Sequence, residues 1–387
     1  MSPELAILVE RMGPYHTARF RAVAQRLGGR LKVVEVAGRS QRYRWNDVGA
    51  VDALPLRSLF PDADYEELGP SAIRAAVRAA LDKLHPDVVA VNGWGFSEAR
   101  EAAAWARRTR KAVVLMSDSQ ERDARRWWPK EVLKRMAVKR CDAALVAGGP
   151  HAQYAEKLGM ARNRIVLGYD VVDNDHFARG AKAARTEDGL VRAALGLPER
   201  FWLACGRFVP KKNLLGGLEA YASYAQLSGP RAWGLVVVGD GPERPALEGR
   251  VASLGLQGRV LLPGFVQYPE LPRYYGLASA FLLPSVVEQW GLVVNEAMAA
   301  GLPVMVSDAC GCASELVHEG VNGFTFAPGD AEALSRRMVR LTERADLQAM
   351  GEASQRIIAS WTPETFARNM ERAMTMALEH ASARDKR

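Results

Sequence analysis

The stretch "AFLLPSVVEQWGLVVNEAMAAGLPVMVS" (residues 280–307) has two short apolar runs on either side of a longer segment. The outer runs, 280–285 and 303–307, are continuously apolar rather than alternating, which predicts strands that are buried on both faces. The central segment, 291–301, predicts a helix that ends at Gly301. Strands buried on both faces and joined by helices are typical of parallel sheets covered by helices on both sides.

The same pattern recurs along the whole chain, which places it in the α/β class. In the first half, strands are predicted at 4–10, 31–36, 87–93, 112–117 and 143–148, and helices at 17–27 and 72–84. In the second half, strands are predicted at 201–206, 234–241, 259–264, 280–285, 303–307 and 323–326. Each half is therefore predicted to be a Rossmann-like unit. We expect two such domains to face each other, with the ligand in an inter-domain cleft at the carboxyl ends of the strands.

The length of the chain also predicts two domains, because 387 residues exceed one ordinary hydrophobic core. The predicted N-terminal domain spans residues 1–180 and the predicted C-terminal domain residues 187–363. The polar stretch 178–189 predicts the junction between them. The final amphipathic stretch, about 364–387, predicts a helix that packs back toward the first domain.

The net charge and the number of cysteines limit which partners and which cellular compartment we expect. The chain carries 52 Lys and Arg against 44 Asp and Glu, a net charge of +8. This balance suits anionic partners such as nucleotides, nucleic acid or an acidic membrane surface, and it is equally typical of a merely solvated basic surface. Four cysteines are too few for a disulfide framework in a chain of this length. With no signal-peptide pattern and no apolar run long enough to span a bilayer, the sequence predicts a cytoplasmic protein.

No metal site is predicted. Cys310 and Cys312 are closer together than ordinary zinc ligands, and no second pair lies near them in the sequence. The acids of "DND" (173–175) resemble a metal-binding pair, but no third ligand is evident.

Glu288 and Glu296 predict two different roles. The eight-residue offset separates them by about 80° around a helix, so they do not share a face. Glu288 lies on the loop after a predicted strand, and Gly291 and Leu292 begin the next helix. The open N–H groups at that helix start favour an anion such as a phosphate. Glu296 is expected to accept hydrogen bonds from vicinal hydroxyls, such as those of a ribose.

A second motif, "GRFVPKKN" (206–213), follows the first strand of the second half. Arg207 and Lys212 can converge on a pyrophosphate, Arg207 through its planar fork and Lys212 as a point charge. Together with a helix N-terminus they would stabilise a departing nucleoside diphosphate without a metal. The alternative is an ordinary solvated loop. The nearby "VVGDGP" (237–242) looks like a dinucleotide-binding loop, but Arg244 replaces the third glycine, and we interpret it as a strand-to-helix turn.

These motifs, together with "LPGFVQYPELPRYYGLASAFLLPS" and "SELVHEGVNGFTF", resemble the donor domain of glycosyltransferase family 4 in order and spacing. The resemblance is strong over about 200–340 and weaker before that. It implies the GT-B fold, with two Rossmann-like domains, and a retaining enzyme that depends on a nucleotide sugar. It also implies roles for residues that contact the donor: the diphosphate (Arg207, Lys212), the ribose (Glu296), the transferred sugar (Glu288), the phosphate through backbone amides (Gly291, Leu292) and the base (Gly264, Phe265, Val266).

In the first half of the chain, the resemblance to this family is weaker. By the resemblance, Gly13 lets the backbone approach the donor phosphates. His16 and Arg19, at the start of the next helix, are expected to point toward the cleft on the acceptor side; for His16 the alternative is a structural residue near the helix cap. Many family members have a histidine after the strand at 112–117, where this chain has Ser117 and Asp118. A carboxylate at position 118 can accept a hydrogen bond from a sugar hydroxyl, and the alternative is a helix cap.

The segment 122–140 is strongly basic, with eight Lys and Arg against two acids. It also holds Trp127, Trp128 and an apolar stripe at helical spacing. One interpretation is a helix that lies on an anionic membrane and serves a lipid-linked acceptor. A second is an acceptor loop in which tryptophan stacks on a sugar, a role also open to Trp94 in "GWGF" (93–96). The third is a domain helix with a solvated basic face.

The predicted function is that of a retaining hexosyltransferase in glycan biosynthesis. It would transfer a sugar from a nucleotide sugar, such as a UDP-sugar, to a saccharide, a lipid carrier or a small molecule. No cofactor, metal or nucleic-acid partner is predicted. The expected location is the cytoplasm, at the inner face of the membrane if 122–140 contacts lipid. The alternatives are a non-catalytic nucleotide- or sugar-binding protein, and a sugar phosphorylase or epimerase of the same fold.

Overall fold

The structure is a computed structural model that describes residues 2–41, 45, 54–344 and 346–386. The chain divides into two compact units. The first comprises Met1–Val172 and Trp361–Arg387, and the second comprises Asp173–Ser360. The division at 172/173 differs from the predicted one, which left 178–189 as a junction.

The first unit contains a parallel sheet with seven strands in the described residues. The strands are β1 (Leu5–Val9), β2 (Leu31–Arg39), β3 (Leu56–Asp64), β4 (Val88–Asn92), β5 (Ala112–Ser117), β6 (Ala143–Val146) and β7 (Ile165–Leu167). Their order across the sheet is β3-β2-β1-β4-β5-β6-β7. The order reverses between β1 and β4, which are direct neighbours. The loops after these two strands therefore flank the place where such sheets bind ligands.

Helices cover both faces of this sheet. They are α1 (Pro14–Leu27), α2 (Pro70–Leu84), α3 (Ser97–Arg108), α4 (Trp128–Val138) and α5 (Gly149–Lys157). Leu5, Ile7 and Val9 of β1 belong to the core on one face, and Ala6 and Leu8 belong to the core on the other. Because both faces of β1 are buried, its sequence is continuously apolar, as the prediction assumed.

The second unit has a six-stranded parallel sheet in the described residues, in the order β10-β9-β8-β11-β12-β13. Its strands are β8 (Phe201–Cys205), β9 (Gly234–Val238), β10 (Val260–Gly264), β11 (Ala280–Leu283), β12 (Val304–Ser307) and β13 (Gly323–Phe326). Here the order reverses between β8 and β11, where Phe281 pairs with Leu203. The predicted α/β class, with a parallel sheet in each half, is confirmed.

The helices of the second unit begin directly at its boundary. They are α6 (Asn174–Thr186), α7 (Asp188–Leu195), α8 (Leu214–Ser228), α9 (Arg244–Ser253), α10 (Leu271–Leu277), α11 (Leu292–Ala299), α12 (Ala313–Leu316), α13 (Ala331–Arg344) and α14 (Leu347–Ile358). The predicted junction at 178–189 is therefore wrong, because it lies mostly within α6 and α7. Helix α6 buries Phe177, Ala181 and Ala184 along one face. Its buried face is largely alanine, so this stretch shows no strong apolar periodicity.

The C-terminal helix, α15 (Pro363–Asp385), belongs to the first unit. Phe366, Met370 and Met374 join the same core as Leu5 and Ile7 of β1. Two strands of the first unit were not predicted from the sequence. Strand β3 contains Pro61 and is only partly buried, and β7 has only three residues.

Asp142, at the start of β6, anchors α15. Its side chain is fully buried and accepts hydrogen bonds from Arg384 Nη1 (2.8 and 3.1 Å) and from the Val113 N–H (3.0 Å). His380 Nδ1 lies 2.9 Å from Asp142 Oδ1. Within the part of the chain that the structure describes, every helix is too short or too polar to cross a lipid bilayer.

We expect Asp142→Ala to lower the free energy of unfolding of the first unit by about 2–4 kcal/mol, because it leaves the Arg384 guanidinium and the Val113 N–H without their buried acceptor. Glu371→Ala is the matched control, since Glu371 also joins α15 to the unit but forms an exposed ion pair with Arg26. We expect that change to cost no more than about 1 kcal/mol. Denaturant unfolding followed by circular dichroism measures both, and equal costs would contradict the anchoring role of Asp142.

Candidate functional site

Two loops at the carboxyl ends of β8 and β11 form the candidate site of the second unit. The loop after β8 spans 206–213 and carries "GRFVPKKN", and the loop after β11 spans 284–291 and carries Glu288. Because β8 and β11 are neighbours in the sheet, the fold brings together two motifs that lie far apart in the sequence. This is the reversal point at which open α/β sheets bind ligands.

Backbone and side-chain hydrogen bonds join the two loops. The Val286 N–H donates to the Lys211 carbonyl (2.9 Å), and Asn213 Nδ2 donates to the Pro284 carbonyl (3.2 Å). Asn213 has a left-handed backbone (φ +50°) and ends the tight turn Pro210–Lys212 where α8 begins. Asparagine tolerates this conformation better than most residues. The turn therefore fixes the direction in which Lys212 leaves the backbone.

Lys212 and Glu288 form an ion pair between the loops, through Nζ and Oε2. Only 13% of the Lys212 side chain and 10% of the Glu288 side chain are exposed. Ser285 Oγ donates a further hydrogen bond to Glu288 Oε2 (3.4 Å). The resemblance implies that Lys212 contacts the diphosphate and Glu288 the transferred sugar, and the structure also joins the two residues directly. Since an ammonium group has three N–H donors, Lys212 can hold Glu288 and still donate to another acceptor.

Gly291 begins α11 with a backbone that only glycine adopts readily. Its φ is +107°, and a Cβ placed there would lie 3.1 Å from Leu283 Cδ2 and 3.4 Å from both Cys312 Sγ and Glu288 Cγ. The glycine therefore lets the loop turn tightly under Glu288. The first N–H groups of α11, including that of Leu292, have no carbonyl partner within the helix and carry its partial positive charge.

Glu296 lies inside α11 and is fully buried. Its Oε2 accepts a hydrogen bond of 2.6 Å from the Tyr275 hydroxyl of α10. Burial, and then the negative charge of Glu296, raise the pKa of the neighbouring Cys205 thiol to about 12, so this cysteine stays neutral. The predicted contact of Glu296 with a ribose stays a prediction, and it requires the carboxylate to become accessible.

Arg207 is exposed at the start of the loop after β8. Among the described residues, its side chain forms no hydrogen bond or ion pair. The next residue, Phe208, is fully buried and anchors the loop. The Lys212 side chain packs over Gly206, where a Cβ would lie 3.4 Å from Lys212 Cε. In this loop, Lys212 is held in an ion pair, whereas Arg207 is exposed to solvent.

Glycine is required at two positions of 237–242 because another loop packs closely against them. A Cβ on Gly239 would lie 1.9 Å from the Gly206 carbonyl oxygen, and one on Gly241 would lie 2.5 Å from the Phe208 carbonyl oxygen. The Phe208 N–H donates to the Asp240 carbonyl (2.9 Å). These glycines let the loop after β9 pack against the loop after β8, and α9 begins at Arg244. The interpretation as a strand-to-helix turn is confirmed.

The residues predicted to contact a base follow β10, at the edge of the sheet. Gly264 ends the strand with φ +93°, and its carbonyl accepts a hydrogen bond from the Gly239 N–H (2.9 Å). Phe265 is 38% exposed, and Val266 is partly buried. They lie at the same end of the sheet as Arg207, beyond β9. A base contact at this position stays a prediction.

In the first unit, Gly13 and His16 lie in and after the loop that follows β1. Gly13 has an extended backbone (φ −145°) that other residues can also adopt, so its predicted contact with phosphate rests on the resemblance alone. The His16 ring stacks on Phe20, with 5.7 Å between ring centroids. Burial, and then the positive charge of Arg19, lower the pKa of His16 to about 3. His16 is therefore neutral near neutral pH.

The expectation that Arg19 points toward a substrate is wrong. Its side chain is 3% exposed and forms an ion pair with Asp170 Oδ1 (3.1 Å). Arg19 Nε also donates to the Val171 carbonyl (3.1 Å), and the guanidinium lies 4.9 Å from the centre of the Tyr169 ring. A buried guanidinium requires such partners. Arg19 fastens the last residues before the boundary at 172/173 to α1.

The other predicted residues of the first unit lie in loops after neighbouring strands. Asp118 follows β5 and is partly buried; the cap of the next helical turn is Gln120, so the helix-cap alternative does not apply to Asp118. Trp94 follows β4 and packs edge-on against Tyr154, with 6.0 Å between ring centroids. Trp127 and Trp128 lie at the start of α4 and are 59% and 75% exposed.

Sequence reasoning missed several residues that shape these loops. Tyr275 and Ser285 donate hydrogen bonds to Glu296 and Glu288, and Asn213 joins the two loops of the second unit. In the first unit, Glu35 of β2 accepts a hydrogen bond of 2.7 Å from the Met12 N–H. A signal existed for Glu35, because an acid inside an apolar strand requires a buried partner.

One acid of 173–175 caps a helix. Asp173 Oδ1 accepts a hydrogen bond of 2.9 Å from the His176 N–H and caps α6. In the part of the chain that the structure describes, no three His, Cys, Asp or Glu residues lie close enough together to hold a metal ion.

The candidate site lies in a segment of the chain that matches a family model. Residues 191–357 match the family described as glycosyl transferases group 1. The chain is 31% identical to the 2-deoxystreptamine glucosyltransferase of Streptomyces kanamyceticus, over 58% of this chain and 56% of that protein. It is 29% identical to a GDP-mannose-dependent alpha-(1-6)-phosphatidylinositol monomannoside mannosyltransferase of Mycobacterium tuberculosis, over 62% of each chain. The chain thus spans little more than half the length of these curated relatives.

A solved structure supports the fold over the whole chain. Anabaena HepE in complex with UDP and glucose superposes with a TM-score of 0.74 at 19% identity, covering 97% of this chain and 100% of HepE. The predicted GT-B fold class is confirmed by this similarity. The predicted relationship to glycosyltransferases is confirmed for residues 191–357, the segment that matches the group 1 family.

We expect Gly291→Ala to destabilise the second unit more than Gly320→Ala does. Both positions have a positive φ, +107° and +75°, but a Cβ at Gly320 would meet nothing within 4 Å. The left-handed backbone alone costs roughly 1–2 kcal/mol, and the contacts with Leu283 and Cys312 add to that cost at Gly291. Thermal unfolding of the two variants measures the difference. A Gly291→Ala variant as stable as Gly320→Ala would show that the turn relaxes easily.

Proposed function

We propose that the protein is a retaining glycosyltransferase that transfers a hexose from a nucleotide diphosphate sugar. One observation carries the proposal: the fold pairs Lys212 with Glu288 at the carboxyl ends of β8 and β11, with Arg207 exposed in the same loop as Lys212, inside the segment that matches the glycosyl transferases group 1 family. The donor diphosphate would bind at this end of the sheet. The subfamily and the retention of configuration rest on the resemblance to glycosyltransferase family 4.

The charges of the site suit a departing diphosphate. Arg207 offers a planar guanidinium from the solvent side, and Lys212 offers N–H donors that the pair with Glu288 does not use. The first turn of α11 adds the partial positive charge of its open N–H groups. Because Lys212 is already held in place, little reorganisation is needed when negative charge develops on the leaving group. We propose that these groups act without a metal ion or another cofactor.

The proposed reaction balances as a direct replacement at the anomeric carbon. The bond from this carbon to the diphosphate oxygen breaks, and its electron pair leaves with the nucleoside diphosphate. The acceptor hydroxyl attacks from the same face and forms the new glycosidic bond, while its proton passes to the leaving phosphate oxygen. Glu288 would hold hydroxyls of the transferred sugar, and Glu296 the ribose.

A UDP-hexose is the first donor to test, since HepE binds UDP and glucose. The names of the two relatives point to a small aminocyclitol and to a phosphatidylinositol glycolipid as acceptors. We therefore propose a saccharide, a small molecule or a lipid-linked sugar as the acceptor class. The proposed location is the cytoplasm, where nucleotide sugars are available, and the proposed role is glycan biosynthesis.

We expect the purified chain to release nucleoside diphosphate from one of the common UDP-, GDP- or dTDP-hexoses, and a chelator to leave the rate unchanged. Once an acceptor is found, NMR of the product should show the anomeric configuration of the donor. Nucleotide binding that never leads to turnover would favour the non-catalytic alternative. An inverted product would overturn retention.

We expect Lys212→Ala to lower turnover roughly 10- to 100-fold, since a charge-assisted hydrogen bond to the leaving phosphate is worth about 1.5–3 kcal/mol. Lys211→Ala is the matched control, because Lys211 contributes only its backbone carbonyl to the contacts between the loops. Its turnover should stay within about threefold of the unmodified enzyme, because the half-buried Lys211 side chain takes no part in the ion pair with Glu288. Unchanged turnover in Lys212→Ala would remove Lys212 from the mechanism.

A further inference from the structure

Helix α4 of the first unit turns its apolar side chains to solvent. Five residues form what we name the α4 apolar face: Trp127, Trp128, Val132, Leu133 and Met136, with exposed fractions of 59%, 75%, 44%, 65% and 53%. They account for half of the ten large apolar side chains that are exposed in the described residues. Residues 128, 132 and 136 fall within about 80° of one another around the helix, so the face is continuous.

The opposite side of the helix is polar and packs against the protein. Glu131 accepts hydrogen bonds from Lys134 Nζ (2.8 Å) and from the Tyr154 hydroxyl (2.8 Å). Arg126 Nη1 donates to the same hydroxyl (2.8 Å), and its guanidinium lies 4.5 Å from the centre of the Tyr154 ring. Tyr154, on α5, is 2% exposed and belongs to the core. Hydrogen bonds and ion pairs thus hold α4 with its apolar face outward, the reverse of an ordinary surface helix.

Positive charge surrounds the α4 apolar face. Of the eight Lys and Arg residues in 122–140, Arg126 and Lys134 donate hydrogen bonds to the Tyr154 hydroxyl. The other six are exposed: Arg122, Arg125, Lys130, Arg135, Lys139 and Arg140. Exposed tryptophans within a ring of Lys and Arg are typical of a helix that lies in the interface of an anionic bilayer.

We propose that the α4 apolar face docks the protein on a bilayer that contains anionic phospholipid. The tryptophans and Leu133 would enter the headgroup region, while the surrounding cations bind lipid phosphates. A second copy of the chain fits less well, because a symmetric dimer would bring the same six exposed cations against each other. The proposal concerns residues of the first unit, whereas the proposed transfer site is built from residues of the second, and it does not depend on the transfer reaction.

Co-sedimentation of the full chain with vesicles tests the proposal. We expect binding to phosphatidylcholine vesicles with about one third phosphatidylglycerol and little binding to phosphatidylcholine alone, and weaker binding in about 0.5 M salt. The double variant Leu133→Ser, Met136→Ser should bind anionic vesicles at least about tenfold more weakly. The matched control changes Leu190 and Leu227 to Ser, which are 76% and 63% exposed elsewhere on the chain, and should bind as the unmodified protein does.

A second variant tests the charge independently. Replacing Lys130, Arg135 and Lys139 by Gln should remove most of the salt-dependent binding while leaving the apolar face intact. Release of nucleotide from a soluble donor should be equal in all these proteins, which separates this proposal from that of the transfer site. Three results would overturn the proposal: no binding to anionic vesicles, equal binding by both sets of variants and the unmodified protein, or self-association through this face without vesicle binding.

Discussion

The candidate site depends on one ion pair, between Lys212 in the loop after β8 and Glu288 in the loop after β11. Removing two charges from water is costly, and the cost is offset only when the geometry is good and further hydrogen bonds complete it. Here the pairing of β8 with β11 supplies the geometry, and Ser285 supplies a further donor. The hydrogen bond between Asn213 and the Pro284 carbonyl keeps the two loops together. Sheet order, loop conformation and charge therefore act as one unit.

The same constraint explains which backbone positions must be glycine. Gly291 lies directly under Glu288, where a side chain would displace the loop, and Gly239 lies against the Gly206 carbonyl at the base of the loop after β8. Gly239 lets two segments of backbone approach each other, and Gly291 leaves room for the side chains of Leu283 and Cys312. Glycine-rich loops are often associated with phosphate binding, but in 237–242 the close contact is with the protein itself. A ligand is then left to meet the side chains and open N–H groups in front of these loops.

The sequence was sufficient to predict most of the strands, because a strand buried on both faces is apolar at every position, but it missed the partly buried β3 and the three-residue β7. It was sufficient to predict that the motifs around Lys212 and Glu288 meet, because carboxyl ends of parallel strands share one edge. It could not predict the partner of Arg19, since Asp170 lies 151 residues away and either residue alone looks like a surface charge. The boundary predicted from the sequence lies too far along the chain compared with the observed one at 172/173. The reason is related, because the burial of a helix is not always evident from its sequence. Alanine can line the buried face of a helix such as α6 without producing a strong apolar pattern.

The direction in which the apolar side of helix α4 faces cannot be predicted from the sequence pattern alone. An apolar stripe at helical spacing looks the same in the sequence whether it faces the core or the solvent, and the partners on the other side decide its direction. In this chain the deciding partner is Tyr154, which contacts Arg126, Glu131 and Lys134. The same tyrosine packs edge-on against Trp94, in the loop after β4 at the reversal point of the first sheet. One buried tyrosine thus joins α4, whose apolar side chains face solvent, to the loop that follows β4.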